Sequence, residues 1–203
     1  MNSKLATNSI PKNGFWAWWE SAEGPGPLLR IALPLMISAG FVSLTLFTDR
    51  TLLYWHSEES ASAAMGAGSL YWAIICLPMG MLGYISTFVS QYRGARHFER
   101  IGSAYQHFMA VAWSIVPILG LTIAFTPTIF SQAGHARSLA DLESTYLSVL
   151  LVGGIGVLFY SVQSGLLTGQ GRTGTVLAID GIATLINLAL DFVLIFGLGP
   201  IPG

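Results

Sequence analysis

Five apolar stretches, each near or above the roughly 20 residues a helix needs to cross hydrocarbon, dominate this sequence. They lie at about 31–55, 63–91, 104–126, 145–168 and 174–197. A membrane-spanning strand needs only about 9–11 residues and alternates polar with apolar positions, which these runs do not. A bilayer satisfies no backbone polar group, so runs of this length are predicted to be helices that bond internally. The expected fold class is all-α: a polytopic membrane helix bundle of about five transmembrane helices. Composition agrees, because only 9% of residues are charged where soluble domains carry about 25%.

The segment 1–29 reads as an N-terminal arm. It is polar, broken by Pro11, Pro25 and Pro27, and carries Trp16, Trp18 and Trp19. Clustered tryptophan beside a span is expected to anchor at the membrane interface. No apolar run near the start suits a signal peptide.

Basic residues set the expected orientation. Lys4, Lys12, Arg30, Arg93, Arg96, Arg100 and Arg172 fall on one side of the membrane and Arg137 on the other. The positive-inside rule then places the N-terminus in the cytoplasm and residues 198–203 outside, in the inner membrane. The net charge of −1 does not point to nucleic acid, and none is expected as a partner. Cys76 is expected to be a small packing residue, since a lone cysteine builds no disulfide framework.

The polar residues inside the spans carry the functional signal. Asp180, Asn187 and Asp191 in the fifth span are spaced by seven and four residues, so they line one face of a helix. A charge in hydrocarbon costs about 2.5–3.5 kcal/mol, so such residues face a bundle interior or a wet cavity. Asp49 in the first span lies 19 residues after Arg30, and Asp191 lies 19 residues after Arg172. Both acids are therefore expected about 28 Å along their helices from the cytoplasmic side, at a shared depth. If the two spans are neighbours, Asp49, Asn187 and Asp191 form one cluster. It can hold a proton shared between carboxylates, or Na⁺ on carboxylate and amide oxygens. The competing reading is an Asn–Asp bond that only locks two helices. Asp180, about 16 Å nearer the cytoplasm, is a candidate relay member or a solvated interfacial acid.

Glycine pairs such as Gly165 and Gly169 are expected to let helices approach closely, and Pro34, Pro78 and Pro117 to bend theirs. Gly169-Gln170-Gly171-Arg172-Thr173-Gly174 fits a dinucleotide fingerprint, but that fingerprint must follow a short strand. Here it follows a membrane-length run and reads as a turn. His56, His97, His107 and His135 lie at or near span ends and supply no catalytic constellation at depth, so no enzyme and no cofactor is expected.

IALPL opening the first span, an Asp late in it, and QYRGA closing the second together resemble the N-terminal half of a multidrug and toxic compound extrusion (MATE) transporter. So do GLLTGQGRTG between the fourth and fifth spans and NLALDFVLIFG ending the fifth. The resemblance implies an H⁺- or Na⁺-coupled antiporter that exports organic, often cationic and amphipathic compounds, with the bilayer and small organic substrates as partners. It maps Asp49, Asn187 and Asp191 onto the cation-coupling site of the N-terminal lobe. Such proteins have twelve spans in two lobes, so the chain is expected to be a fragment with one incomplete lobe, the C-terminal lobe absent, and inactive alone. Arg50 stands where the family usually has a small polar residue. A lipid-linked oligosaccharide flippase of the same superfamily and a non-transporting membrane scaffold are the alternatives.

Overall fold

A computed structural model describes residues 15–21, 24–134 and 136–196. Seven helices occur among them: α1 (Phe15–Glu20), α2 (Pro25–His56), α3 (Glu58–Gly83), α4 (Ile85–Gly94), α5 (Phe98–Gln132), α6 (Arg137–Gly169) and α7 (Thr173–Phe196). There is no strand among the described residues. With α3 and α4 running on as one span, five stretches are long and apolar enough to cross a membrane. Large apolar side chains such as Phe47, Leu77, Leu121, Val149 and Leu185 point outward, as a surface facing lipid requires. The protein is a multi-pass membrane protein built as an all-α bundle.

The helices run past the apolar stretches that mark them in the sequence. α2 starts at Pro25 because Pro25 and Pro27 occupy its first turn, where a missing N–H costs nothing. The arm expected over residues 1–29 therefore ends inside a helix, and residues 1–14 and 22–23 lie outside the described residues. α1 folds back on the start of α2. A Cβ at Gly26 would meet the Trp19 carbonyl at 2.6 Å, so glycine permits that approach. Arg137, Asp141 and Glu143, which fall between the third and fourth apolar stretches, belong to the first two turns of α6. Only Ser57 separates α2 from α3, and its hydroxyl caps α3 by accepting from the Ser60 N–H at 3.3 Å.

The core lies on α6. Leu147, Leu151, Leu158 and Val162 form one stripe that is fully buried against Ile75 and Leu82 of α3, Ile85 and Val89 of α4, and Ala112 and Leu119 of α5. Glycine sets how close the helices come. Gly154 faces Tyr71 and Ile75, and Gly169 meets the Ser86 carbonyl and Val89. The span broken into α3 and α4 is interrupted at Tyr84, six residues beyond Pro78, where a Cβ on Gly165 would press on Ile85 and on the Gly83 carbonyl. Thr126 of α5 bonds Ser144 at 3.2 Å and Ser148 at 3.0 Å on α6.

α2 and α7 form a second layer. They pack chiefly on each other, and more lightly on α3 and α6. The turn into α7 closes α6 with two reciprocal bonds: Gly171 N–H donates to Thr168 O at 2.9 Å and Arg172 N–H to Leu167 O at 2.8 Å. Gly171 supplies the positive φ of 73°. The glycine-rich hexapeptide is thus a helix C-cap following a helix. Cys76, expected to pack, is exposed on α3.

Candidate functional site

The α2–α7 seam carries polar groups at intervals of three to seven residues along both helices. Along α7 the face holding Thr173, Val176, Asp180, Thr184, Asn187 and Asp191 is buried or half-buried, while Ile182, Leu185 and Leu190 point outward. The equivalent face of α2 carries Ser38, Phe41, Thr45 and Asp49. Two clusters of different composition form along it.

At the C-terminal end of both helices, Asp49, Asn187 and Asp191 come together. With its amide nitrogen turned inward, Asn187 donates to Asp191 Oδ2 at 3.2 Å and to Asp49 Oδ1 at 3.3 Å. Those two oxygens thus lie within the sum of those two distances of each other, close enough for each carboxyl to feel the other's charge. Two carboxylates this close repel unless a donor, a proton or a cation lies between them. Asn187 supplies the donor here, and turning its amide over would present an oxygen to a cation instead. All three side chains are half-buried.

Two further residues border this cluster. Tyr146 of α6 lies within electrostatic reach of Asp49, Arg50 and Asp191. Arg50 is exposed, yet it lines a cavity of about 120 Å³ with Asp49, Gly68, Tyr71, Trp72 and Tyr146. Tyr146 carried no signal in the sequence, because a tyrosine in an apolar run is ordinary. Its place near Asp49 and Asp191 emerges only from the packing of α6 on the seam.

Asp180 sits in the second cluster, toward the N-terminal end of α7. Ser38 Oγ of α2 donates to one carboxylate oxygen and the Tyr160 hydroxyl of α6 to the other. Ser164 in turn bonds Tyr160. Ser38 is buried, and Asp180 and Tyr160 are half-buried. Asp180 is therefore held between three helices.

Glu143 is 2% exposed and lies against Gly66 of α3. It falls outside the apolar stretches of the sequence, yet the structure sets its carboxyl inside the bundle. His97 and His107 are exposed, and among the described residues no group of three His, Cys, Asp or Glu side chains converges for a metal.

A five-span helical bundle with paired acids at an interhelical seam defines a multi-pass membrane protein with ionisable groups between its helices. The MatE family profile matches residues 34–193, from inside α2 nearly to the end of α7. The chain belongs to the MatE family. It is 28% identical over 174 residues to a probable multidrug resistance protein NorM of Bradyrhizobium diazoefficiens, covering 86% of this chain and 37% of that protein. A protein of the same name from Thermotoga maritima is 26% identical over 206 residues, covering 97% of this chain and 41% of the relative. One from Haemophilus ducreyi is 22% identical over 185 residues, covering 91% and 40%. The chain spans about two fifths of the length of these relatives. No solved structure matches it.

Proposed function

We propose that this chain forms the N-terminal lobe of an H⁺- or Na⁺-coupled antiporter that exports organic, often cationic and amphipathic compounds. The observation that carries the proposal is the meeting of Asp49 and Asp191 across Asn187. Two acids and an amide at a helix seam are expensive in hydrocarbon and are more than a helix contact needs. The names of the relatives support drug export as the whole protein's activity. A second lobe completes the transporter, and this lobe alone does not transport.

In this proposal the N-terminus is cytoplasmic in the inner membrane, as the bias of basic residues argues. Both α2 and α7 then run from inside to outside, with Asp49 and Asp191 in the outer half. Cation and drug act reciprocally. A proton or Na⁺ removes one negative charge from the pair, the Asn187 amide turns or loses its bonds, and the α2–α7 seam shifts. Differential affinity for the two seam arrangements is what couples the ion to the drug. Asp180 serves as a relay on the cytoplasmic side.

The test is Asp191→Asn in the full transporter, with drug efflux measured in vesicles under an imposed proton or sodium gradient and normalised to protein level. Asparagine keeps shape and hydrogen bonding but neither carries the proton nor neutralises Na⁺. Efflux is expected to be abolished while membrane level persists. Efflux at the wild-type rate would reduce the cluster to interhelical glue, whose bonds average about 0.6 kcal/mol.

A further inference from the structure

A threonine pair stands between the two clusters on the α2–α7 seam. Between them, Thr45 Oγ1 of α2 lies 3.5 Å from Thr184 Oγ1 of α7, at the outer limit of a hydrogen bond. Hydroxyl, amide and carboxyl groups therefore recur down one face of α7, at Asp191, Asn187, Thr184 and Asp180, opposed by Asp49, Thr45 and Ser38 on α2. The order breaks at one place. Phe41, between Ser38 and Thr45 along α2, lies across Gly181, where a Cβ would sit 3.3 Å from the ring.

From this order we infer that the seam is a cation path, with Asp180, Ser38 and Tyr160 as its inner station and Phe41 on Gly181 as its constriction. The inference rests on the coupling role proposed for Asp49 and Asp191 and extends it to a route. A tie between helices needs only one hydrogen bond, which a neutral side chain supplies without the cost of a charge. Asp180 instead presents a carboxylate to two hydroxyls, and each hydroxyl can both donate and accept. That suits a group that alternates between charged and neutral states.

For H⁺, a carboxyl of the upper pair gives up its proton through the threonine hydroxyls and water admitted when Phe41 swings off Gly181. The upper pair becomes anionic and Asp180 becomes neutral. One O–H bond breaks for each that forms. For Na⁺, the same oxygens are successive ligands and the charge moves identically. The absence of a side chain at Gly181 is what gives Phe41 its seat there. The aromatic ring keeps the path shut between turnovers.

The experiment uses the full transporter in proteoliposomes, reading drug-driven H⁺ flux with an enclosed pH dye and drug-driven Na⁺ flux with a sodium tracer. Drug binding is measured separately in detergent. Asp180→Asn is expected to lower drug-driven flux of the coupling cation at least about tenfold while drug binding is unchanged, and Asp180→Glu to restore part of it. Thr184→Val, which keeps shape and loses the hydroxyl, is expected to slow flux less. Phe41→Ala is expected to raise cation leak in the absence of drug. Wild-type flux in Asp180→Asn beside a dead Asp191→Asn overturns the path and leaves the coupling pair standing. Wild-type flux in both removes both. If Asp180→Asn does not reach the membrane, Thr184→Val and Phe41→Ala decide, and unchanged flux and leak in that pair overturn the path.

Discussion

Gly169 of α6 lies against the carbonyl oxygen of Ser86 in α4, where a methyl group would sit 2.6 Å from that oxygen and 2.7 Å from Val89 Cβ. The contact joins the last turn of α6 to the first of α4, just past the interruption at Tyr84. A backbone oxygen and a β-branched side chain give way poorly.

Gly169→Ala is therefore expected to force α6 off α4. Overpacking of a filled site costs about 1–3 kcal/mol, which thermal unfolding in detergent would register as a lower Tm. Gly153→Ala on the same helix is the control, since nothing lies within 4 Å of its Cβ position. Equal melting of the two variants would show that the glycine contact does not set the helix spacing.

Asn187→Leu removes the donor shared by Asp49 and Asp191. Two facing carboxylates left without it should cost about 1–3 kcal/mol, well above an average interhelical hydrogen bond. The melting temperature is expected to drop and to recover with the cation that serves the site. Recovery on adding Na⁺ at fixed pH names sodium, and recovery only on acidification names the proton. No drop at all would mean the carboxylates do not depend on Asn187.

Cysteine labelling tests the orientation. Cys76 is exposed and must first be replaced. In that background Ser60→Cys should react with an impermeant reagent from outside, and His97→Cys only after permeabilisation. His97 is exposed beside the α4–α5 turn, in which Arg96 holds a positive φ of 59°, so an accessible thiol there reports topology directly. The reverse pattern would invert the direction of the seam path.

Thr126→Val removes the hydroxyl that meets Ser144 and Ser148 between α5 and α6. The expected loss is about 0.6–1.7 kcal/mol, with coupled transport unaffected because the seam lies elsewhere. A transport defect without a stability change would assign this hydroxyl group a role beyond packing.

The five spans were legible because bilayer thickness imposes a length on apolar runs. Helix ends were not, because hydropathy marks where hydrocarbon begins while a helix continues through the interface. Arg137–Glu143 is the case in point, seven residues of helix that looked like a loop. The Asp49–Asp191 partnership was legible from rarity and equal spacing from basic anchors. Their hydroxyl neighbours were not: Ser38, Thr45, Tyr160 and Thr184 cost little in an apolar helix, so only the packing of α2, α6 and α7 picks them out. Asp180 stood on the right stripe, but nothing in the chain announced that Tyr160 would reach it.

The seam joins the first membrane span to the last of those described here. Ser38 and Asp180 are 142 residues apart, and Thr45 and Thr184 are 139 apart. At a synthesis rate of about 5–20 residues per second, several seconds separate the emergence of the two sides. During that interval Asp49 waits in the membrane without its partners, at the energetic cost of a lone acid in hydrocarbon. The α2–α7 seam closes only once α7 has emerged, so a slow or mistimed α7 leaves a bundle that is inserted, helical and packed around α6, with Asp49 still unmatched.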